Sequence, residues 1–95
     1  MPDTAPRITL AEILKAARSM INEPVFNQWK DHRYTRWRFA VYALARAETT
    51  LSLPAIGKLV GGRHHTTVLS GARRADPALV EQLRAKVIEL RGQTP

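Results

Sequence analysis

Two adjacent glycines, Gly61 and Gly62, separate two short runs of helical periodicity, and they constrain the fold more than any other feature of the chain. Upstream lies "SLPAIGKLV". Ser52 can cap a helix covering Leu53 to Val60, and Pro54 falls in its first turn, where a missing N–H costs nothing. Ile56 and Leu59 are its expected buried face. Either glycine can take the left-handed backbone that stops a helix. Downstream, "RHHTTVLSGARRA" predicts a second helix from about His64 to about Ala75, with Val68, Leu69 and Ala72 turned inward. A short helix, a tight glycine turn and a longer helix make a helix-turn-helix at about residues 52–75.

The rest of the chain reads as helix as well. Thr9 and Glu12 have the spacing of a capping box, and Ile8 and Ile13 that of a hydrophobic staple, at the start of a helix running to about Ile21. Leu10, Ile13, Leu14, Ala17 and Ile21 form its apolar stripe. Pro24 breaks that helix or opens a short one, "PVFNQW", with Val25, Phe26 and Trp29 adding bulk to the core. Thr35 is the expected cap of a further helix with Phe39, Ala40, Ala43, Leu44 and Ala47 inward. Asp76 followed by Pro77 starts a last helix that reaches about Arg91, carries Leu79, Val80, Leu83, Val87 and Leu90, and stops at Gly92. No segment alternates like a strand. The expectation is an all-α fold, a bundle of about five to six helices, with residues 1–7 a flexible tail and 8–92 a single domain.

Charge then narrows the partner. The 95 residues hold 15 Lys plus Arg against 8 Asp plus Glu, a net charge of +7. Such a surplus on a small body draws it to polyanions, with nucleic acid ahead of an anionic membrane. Cysteine is absent, which removes disulfides, thiolate metal sites and cysteine nucleophiles together. No apolar run approaches the roughly 18 residues of a membrane span, and the amino end lacks a basic segment followed by an apolar core. A soluble, cytoplasmic, nucleoid-associated protein is therefore expected, with no membrane partner.

The start of the second helix holds Arg63, His64, His65, Thr66 and Thr67 in succession. Residues at the front of a recognition helix meet base edges in the major groove, where Arg bonds guanine O6 and N7 and the Thr methyl packs on thymine. Imidazoles donate to base or phosphate acceptors according to protonation. Lys58, Arg73 and Arg74 flank the helix pair, and Lys30, Arg33, Arg36 and Arg38 form a second basic cluster. The amides at the Ser52 end add phosphate donors. Phosphate contacts position a protein, and base contacts specify its site.

The stretch "LSLPAIGKLVGGRHHTTVLSGARR" closely resembles the carboxyl-terminal DNA-binding domain of the DnaA family of bacterial replication initiators, whose signature runs like SLPEIG, GGRDHTTV and HA. "RFAVYALAR", residues 38–46, resembles that domain's arginine-led helix at the same distance upstream. The good match covers residues 38–75. The resemblance implies an all-helical fold that binds double-stranded DNA. It implies Arg38 in the minor groove, His65 and Thr66 as base readers in the major groove, and Thr67 as a phosphate or groove contact. Arg63 would stand at the mouth of the groove, Ser52, Leu53 and Pro54 would bring amides to phosphate, and Lys58 would be a further backbone contact. His64 stands where the family has Asp. Asp accepts from cytosine N4, whereas an imidazole donates and suits guanine or phosphate, so the preferred sequence is expected to differ there. The initiator's ATPase domain has no counterpart in these residues, which lack a GxxxxGK[ST] loop, so a binding module without enzymatic activity is expected. That module would be a small regulator of transcription or replication, or an origin- or nucleoid-associated factor.

Several of these residues also admit plain structural roles. Adjacent histidines on a helix point about 100° apart and close poorly on one metal, with only His32 as a third imidazole, so neither a metal nor a cofactor is expected. No nucleophile and base pair is laid out for catalysis. Thr66 and Thr67 can serve as capping residues alone. Trp29, Trp37 and Tyr42 suit core packing better than base stacking. Asp31, Glu48 and Glu81 read as ordinary solvent-facing or capping carboxylates. The Leu79 to Leu90 stripe reads as packing within the domain, with a homodimer face as the alternative. The competing function is a protein–protein adaptor that offers the same basic surface to an acidic partner.

Overall fold

Local chemistry at the helix starts explains most of the architecture. The computed structural model of the chain describes residues 8–21 and 34–92. The segments expected at 1–7 and 24–29, together with Asp31, His32, Lys30 and Arg33, lie outside the described residues. Within them the elements are α1 (Leu10–Ile21), α2 (Thr35–Glu48), α3 (Leu53–Leu59), α4 (His65–Arg74) and α5 (Pro77–Gly92). The fold is all-α.

At α1 the capping box forms as spaced. Thr9 Oγ1 accepts from Glu12 N at 3.2 Å, and Glu12 Oε1 accepts from Thr9 N at 3.0 Å. Ile8 and Ile13 are both buried, as a staple requires. Asp76 Oδ1 takes the Ala78 N–H at 3.0 Å at the head of α5, with Pro77 as the first helical residue. Leu79, Leu83 and Val87 are buried along that helix, and Val80 and Leu90 pack against the core in part. Gly92 is the last helical residue rather than the first one beyond.

α2 departs from expectation in two ways. Thr35 does not cap it: Tyr34 occupies the cap position without a side-chain bond, and Thr35 is already helical. Its hydroxyl instead accepts from Arg38 Nη2 at 3.2 Å. The inward set is also wider and displaced. Val41, Tyr42 and Ala45 join Ala40 and Leu44 in the core, Phe39 and Ala43 are half-buried, and Ala47 is exposed. α2 packs against all four other helices, so it has no single apolar stripe for periodicity to reveal.

The side chains that fill the centre are Tyr42, Ile13, Leu44, Ile56, Leu83, Val41, Val60, Val68 and Val87. Each fully buried aliphatic chain of Leu or Ile size contributes about 1.5–3 kcal/mol of transfer free energy. These contacts bring α2, α3 and α4 together as one packed unit, and that unit carries the polar front of α4.

Candidate nucleic-acid interface

The turn between α3 and α4 is built on close backbone approach. Ser52 Oγ accepts from Ala55 N at 3.3 Å and starts α3. The helix ends at Leu59, one residue earlier than expected, and of its last two apolar residues Val60 rather than Leu59 is buried, one helical turn on from Ile56. Leu59 is 58% exposed, and Val60 swings into the core with its N–H on Ile56 O at 2.9 Å. Gly61 and Gly62 follow at φ 82° and 65°, backbone that a side chain rarely tolerates. The chain then doubles back, and Arg63 N donates to Gly57 O at 2.7 Å. A Cβ on Gly57 would lie 2.1 Å from Arg63 O, so only glycine fits there. Gly71 does the same for the α2–α4 crossing, where an added Cβ would sit 2.7 Å from Phe39 Cδ1 and 2.8 Å from Tyr42 Cδ2.

This turn sets the front of α4. His64 is the N-cap residue, in extended backbone, and the N–H groups of Thr67 and Val68 bond to its carbonyl at 3.0 and 3.2 Å. Its ring also caps: Nδ1 accepts from Thr66 N at 3.3 Å and lies 2.9 Å from Thr66 Oγ1. The His65 ring lies beside it, with centroids 4.3 Å apart. His64, His65, Thr66 and Thr67 are all exposed, while Val68 one position on is buried, so the polar run forms one outward-facing end on a helix anchored from behind. Arg63 is half-buried in the turn, and its buried Nε has no hydrogen-bond partner among the described residues.

Arg38 comes to this front from α2. It is half-buried, and burial first, then the positive charge of Arg63, lowers its pKa from the ordinary value. Arg remains cationic under any ordinary condition. Tyr42, one turn along α2, sits beneath both guanidiniums. Burial raises the pKa of its phenol, while Arg38 and Arg63 work the other way. The hydroxyl is buried and has no hydrogen bond of good geometry among the described residues. Sequence reasoning assigned Tyr42 to core packing alone. Its i,i+4 spacing from Arg38 was the available sign that it also borders the site.

The other expected contacts are spread more widely. Lys58 is exposed on α3, and Ser52 is exposed at its head; the Leu53 side chain packs in part against the core. Arg73 and Arg74 are exposed in the last turn of α4, about 13 Å along the axis from its front by helix rise. Arg36 is exposed and reaches Asp76 at 3.6 Å. Trp37, between Arg36 and Arg38, packs in part against the core. Residues 49–75 contain no Asp or Glu, so Lys58, Arg63, Arg73 and Arg74 have no carboxylate of their own segment to face. Glu48 and Glu81, expected as ordinary solvent-facing or capping carboxylates, both pair with Arg84; Glu81 is exposed and Glu48 half-buried.

Among the described residues no group of three His, Cys, Asp or Glu could hold a metal ion, and no helix is long and apolar enough to cross a membrane.

Fold and site together define a helix-turn-helix domain, the class that presents the front of its second helix to a nucleic-acid groove. Residues 22–75 match the family described as bacterial dnaA protein helix-turn-helix, and the chain belongs to that family. The chain is 38% identical over 95 residues to the chromosomal replication initiator protein DnaA of a Caulobacter species, an alignment covering 90% of this chain and 20% of that protein. The protein of the same name from Thermomicrobium roseum is 47% identical over 58 residues, covering 59% of this chain and 12% of the relative. That of Lacticaseibacillus casei is 33% identical over 98 residues, covering 97% and 22%. The chain thus spans about a fifth of the length of these relatives. No solved structure matches it.

Proposed function

We propose that this chain binds double-stranded DNA in a sequence-dependent way, with α4 in the major groove, and acts as a small regulatory or origin-associated factor through binding rather than catalysis. The observation that carries this reading is the exposed row His64, His65, Thr66 and Thr67 at the front of α4, set in a segment with four cations and no carboxylate. Exposed donors and methyl groups on a helix end suit base edges, and cations in a carboxylate-free segment suit phosphates. Family membership supports the same orientation.

In this reading His65 and Thr66 read bases, Arg63 stands at the mouth of the groove and Thr67 meets a phosphate or the groove wall. Arg38 enters the minor groove from the side of α2. The Leu53 amide, Ser52 and Lys58 hold one strand, and Arg36, Arg73 and Arg74 bear on phosphates farther out. Residues 8–92 act as one binding unit. The test is fluorescence anisotropy with a duplex selected from a random pool and a scrambled control, at about 0.15 M salt, where nonspecific charge attraction is partly screened. Tighter binding of the selected duplex, reduced by Thr66→Ala or His65→Ala, is expected. Equal affinities for the two duplexes would overturn the proposal.

A further inference from the structure

Helix N-caps are ordinarily oxygen acceptors supplied by Ser, Thr, Asp or Asn. α4 uses an imidazole. His64 Nδ1 is 3.3 Å from Thr66 N and 2.9 Å from Thr66 Oγ1. An amide N–H can only donate, so Nδ1 must be the acceptor, and a neutral ring then carries its proton on Nε2. The Thr66 hydroxyl, facing the same lone pair, donates to it as well, which leaves the Thr66 oxygen as an acceptor toward anything outside. The ring of His65 lies against that of His64 at a 34° tilt and restricts it further. Nε2 is on the ring edge opposite the cap, on an exposed side chain, and has no hydrogen-bond partner among the described residues.

We infer that His64 is a specificity-determining residue of this interface: a neutral Nε2–H donor, its tautomer fixed by the capping bond, that selects guanine and rejects cytosine at the base pair it meets. The inference rests on the duplex-binding reading above. In the major groove cytosine offers only its N4 amino donor, so a ring that can only donate would leave two donors facing each other. Guanine offers O6 and N7 side by side as acceptors. An aspartate at this position would satisfy the same cap and face cytosine with an acceptor. One residue therefore sets the base preference without changing how the helix begins. The roles of His64 and Thr66 are linked, since the hydroxyl proton that Thr66 gives to Nδ1 cannot be offered to a base.

His64→Asn keeps an acceptor for the cap and a donor for the base. His64→Asp keeps the cap and loses the donor. Each protein is first checked for unchanged thermal unfolding, then measured by anisotropy against four duplexes that carry each base pair in turn at the positions recovered by selection. Wild type and His64→Asn are expected to favour guanine over cytosine at one shared position by at least about fivefold, the lower end of a good base contact. His64→Asp is expected to reverse that order. Long-range proton–nitrogen NMR of the free wild-type protein at about pH 8 is expected to show Nε2 protonated and Nδ1 bare. A proton on Nδ1, or specific binding whose base order is the same in wild type and His64→Asp, overturns the inference and leaves duplex recognition standing. Failure of every protein to discriminate among the duplexes overturns duplex reading itself, and this assignment with it.

Discussion

Where α1 and α5 meet α2, cations pair with carboxylates of the bundle, and where α3 and α4 meet no such pair forms among the described residues. Arg91 donates to both carboxylate oxygens of Glu12, with Nη2 to Oε1 at 2.8 Å. Arg84 holds Glu81 on its own helix and Glu48 of α2 at 3.0 Å, and Lys86 Nζ reaches Glu89 at 2.6 Å. On the other side the carboxylate-free segment 49–75 contributes four of the cations behind the net charge of +7. Like charges on one small surface repel and lower stability slightly, a cost that a polyanion offsets on binding. The comparison separates two tasks: one side uses charge to hold helices together, and the other offers it outward.

The firmest way to break this division is at the backbone of the outward side. Gly57→Ala places a Cβ 2.1 Å from the Arg63 carbonyl, an atom that cannot move without opening the turn. Loss of the Arg63 N–Gly57 O bond together with the overpacking is expected to cost about 3 kcal/mol, read as a lower urea midpoint. A midpoint equal to wild type would show that the close approach does not constrain the turn.

Next comes the pair that reaches the site from α2. Arg38→Ala is expected to weaken binding of the selected duplex by about 1–3 kcal/mol, roughly 5- to 150-fold, with little change in stability. Tyr42→Phe separates the two roles of that residue. It removes a buried hydroxyl that has no hydrogen bond of good geometry among the described residues, so stability should stay within about 1 kcal/mol of wild type. Duplex affinity should fall a few-fold if the phenol orients the guanidinium of Arg38. Unchanged affinity would return Tyr42 to core packing alone.

These residues also show where sequence reasoning reached and where it stopped. The caps at Thr9, Ser52 and Asp76 and the glycine stop at Gly61 and Gly62 were legible because each is settled by side chains within a few residues. The buried face of α2 was not, because a helix with neighbours on several sides has no one-sided pattern. The buried neighbour of Ile56 is Val60, four residues on, rather than Leu59, three on; helical spacing allows either, and only tertiary packing decides between them. The polar row of α4 could be read as a groove front from composition and resemblance, but the nearness of Arg38, Tyr42 and Arg63 is a product of tertiary packing. The capping role of His64 was hidden for a different reason: imidazole is not among the usual cap acceptors, so only the distances reveal it.

A smaller effect sharpens the outward side. Lys58→Ala removes an exposed cation that touches no base in the proposed orientation. It should weaken selected and scrambled duplexes alike, and lower the slope of log affinity against log salt by about 1. A change in sequence preference without a change in slope would mean that Lys58 reads rather than positions.

The smallest effect belongs to the inward side and is visible mainly in its pH dependence. The hydrogen bond from Arg91 first of all, supported by Thr9, holds the Glu12 pKa down at about 2 against an ordinary 4.5, and burial works in the opposite direction. A carboxyl whose folded value is depressed adds stability above its unfolded value and loses it as pH falls toward the folded one. The Glu12–Arg91 pair therefore stabilises the fold fully above about pH 4.5 and progressively less down to about 2. Both side chains keep 30% of their surface exposed, so screening reduces the contribution to the order of 1 kcal/mol or below. Arg91→Ala should unfold at lower urea than wild type at pH 7, and the gap should narrow as the pH is taken from 4.5 toward 2. Its duplex affinity at pH 7 should equal that of wild type, because this cation is already committed to Glu12. A loss of affinity as large as that of Lys58→Ala would mean that Arg91 also serves the nucleic acid, and that the two sides of the bundle share their charge.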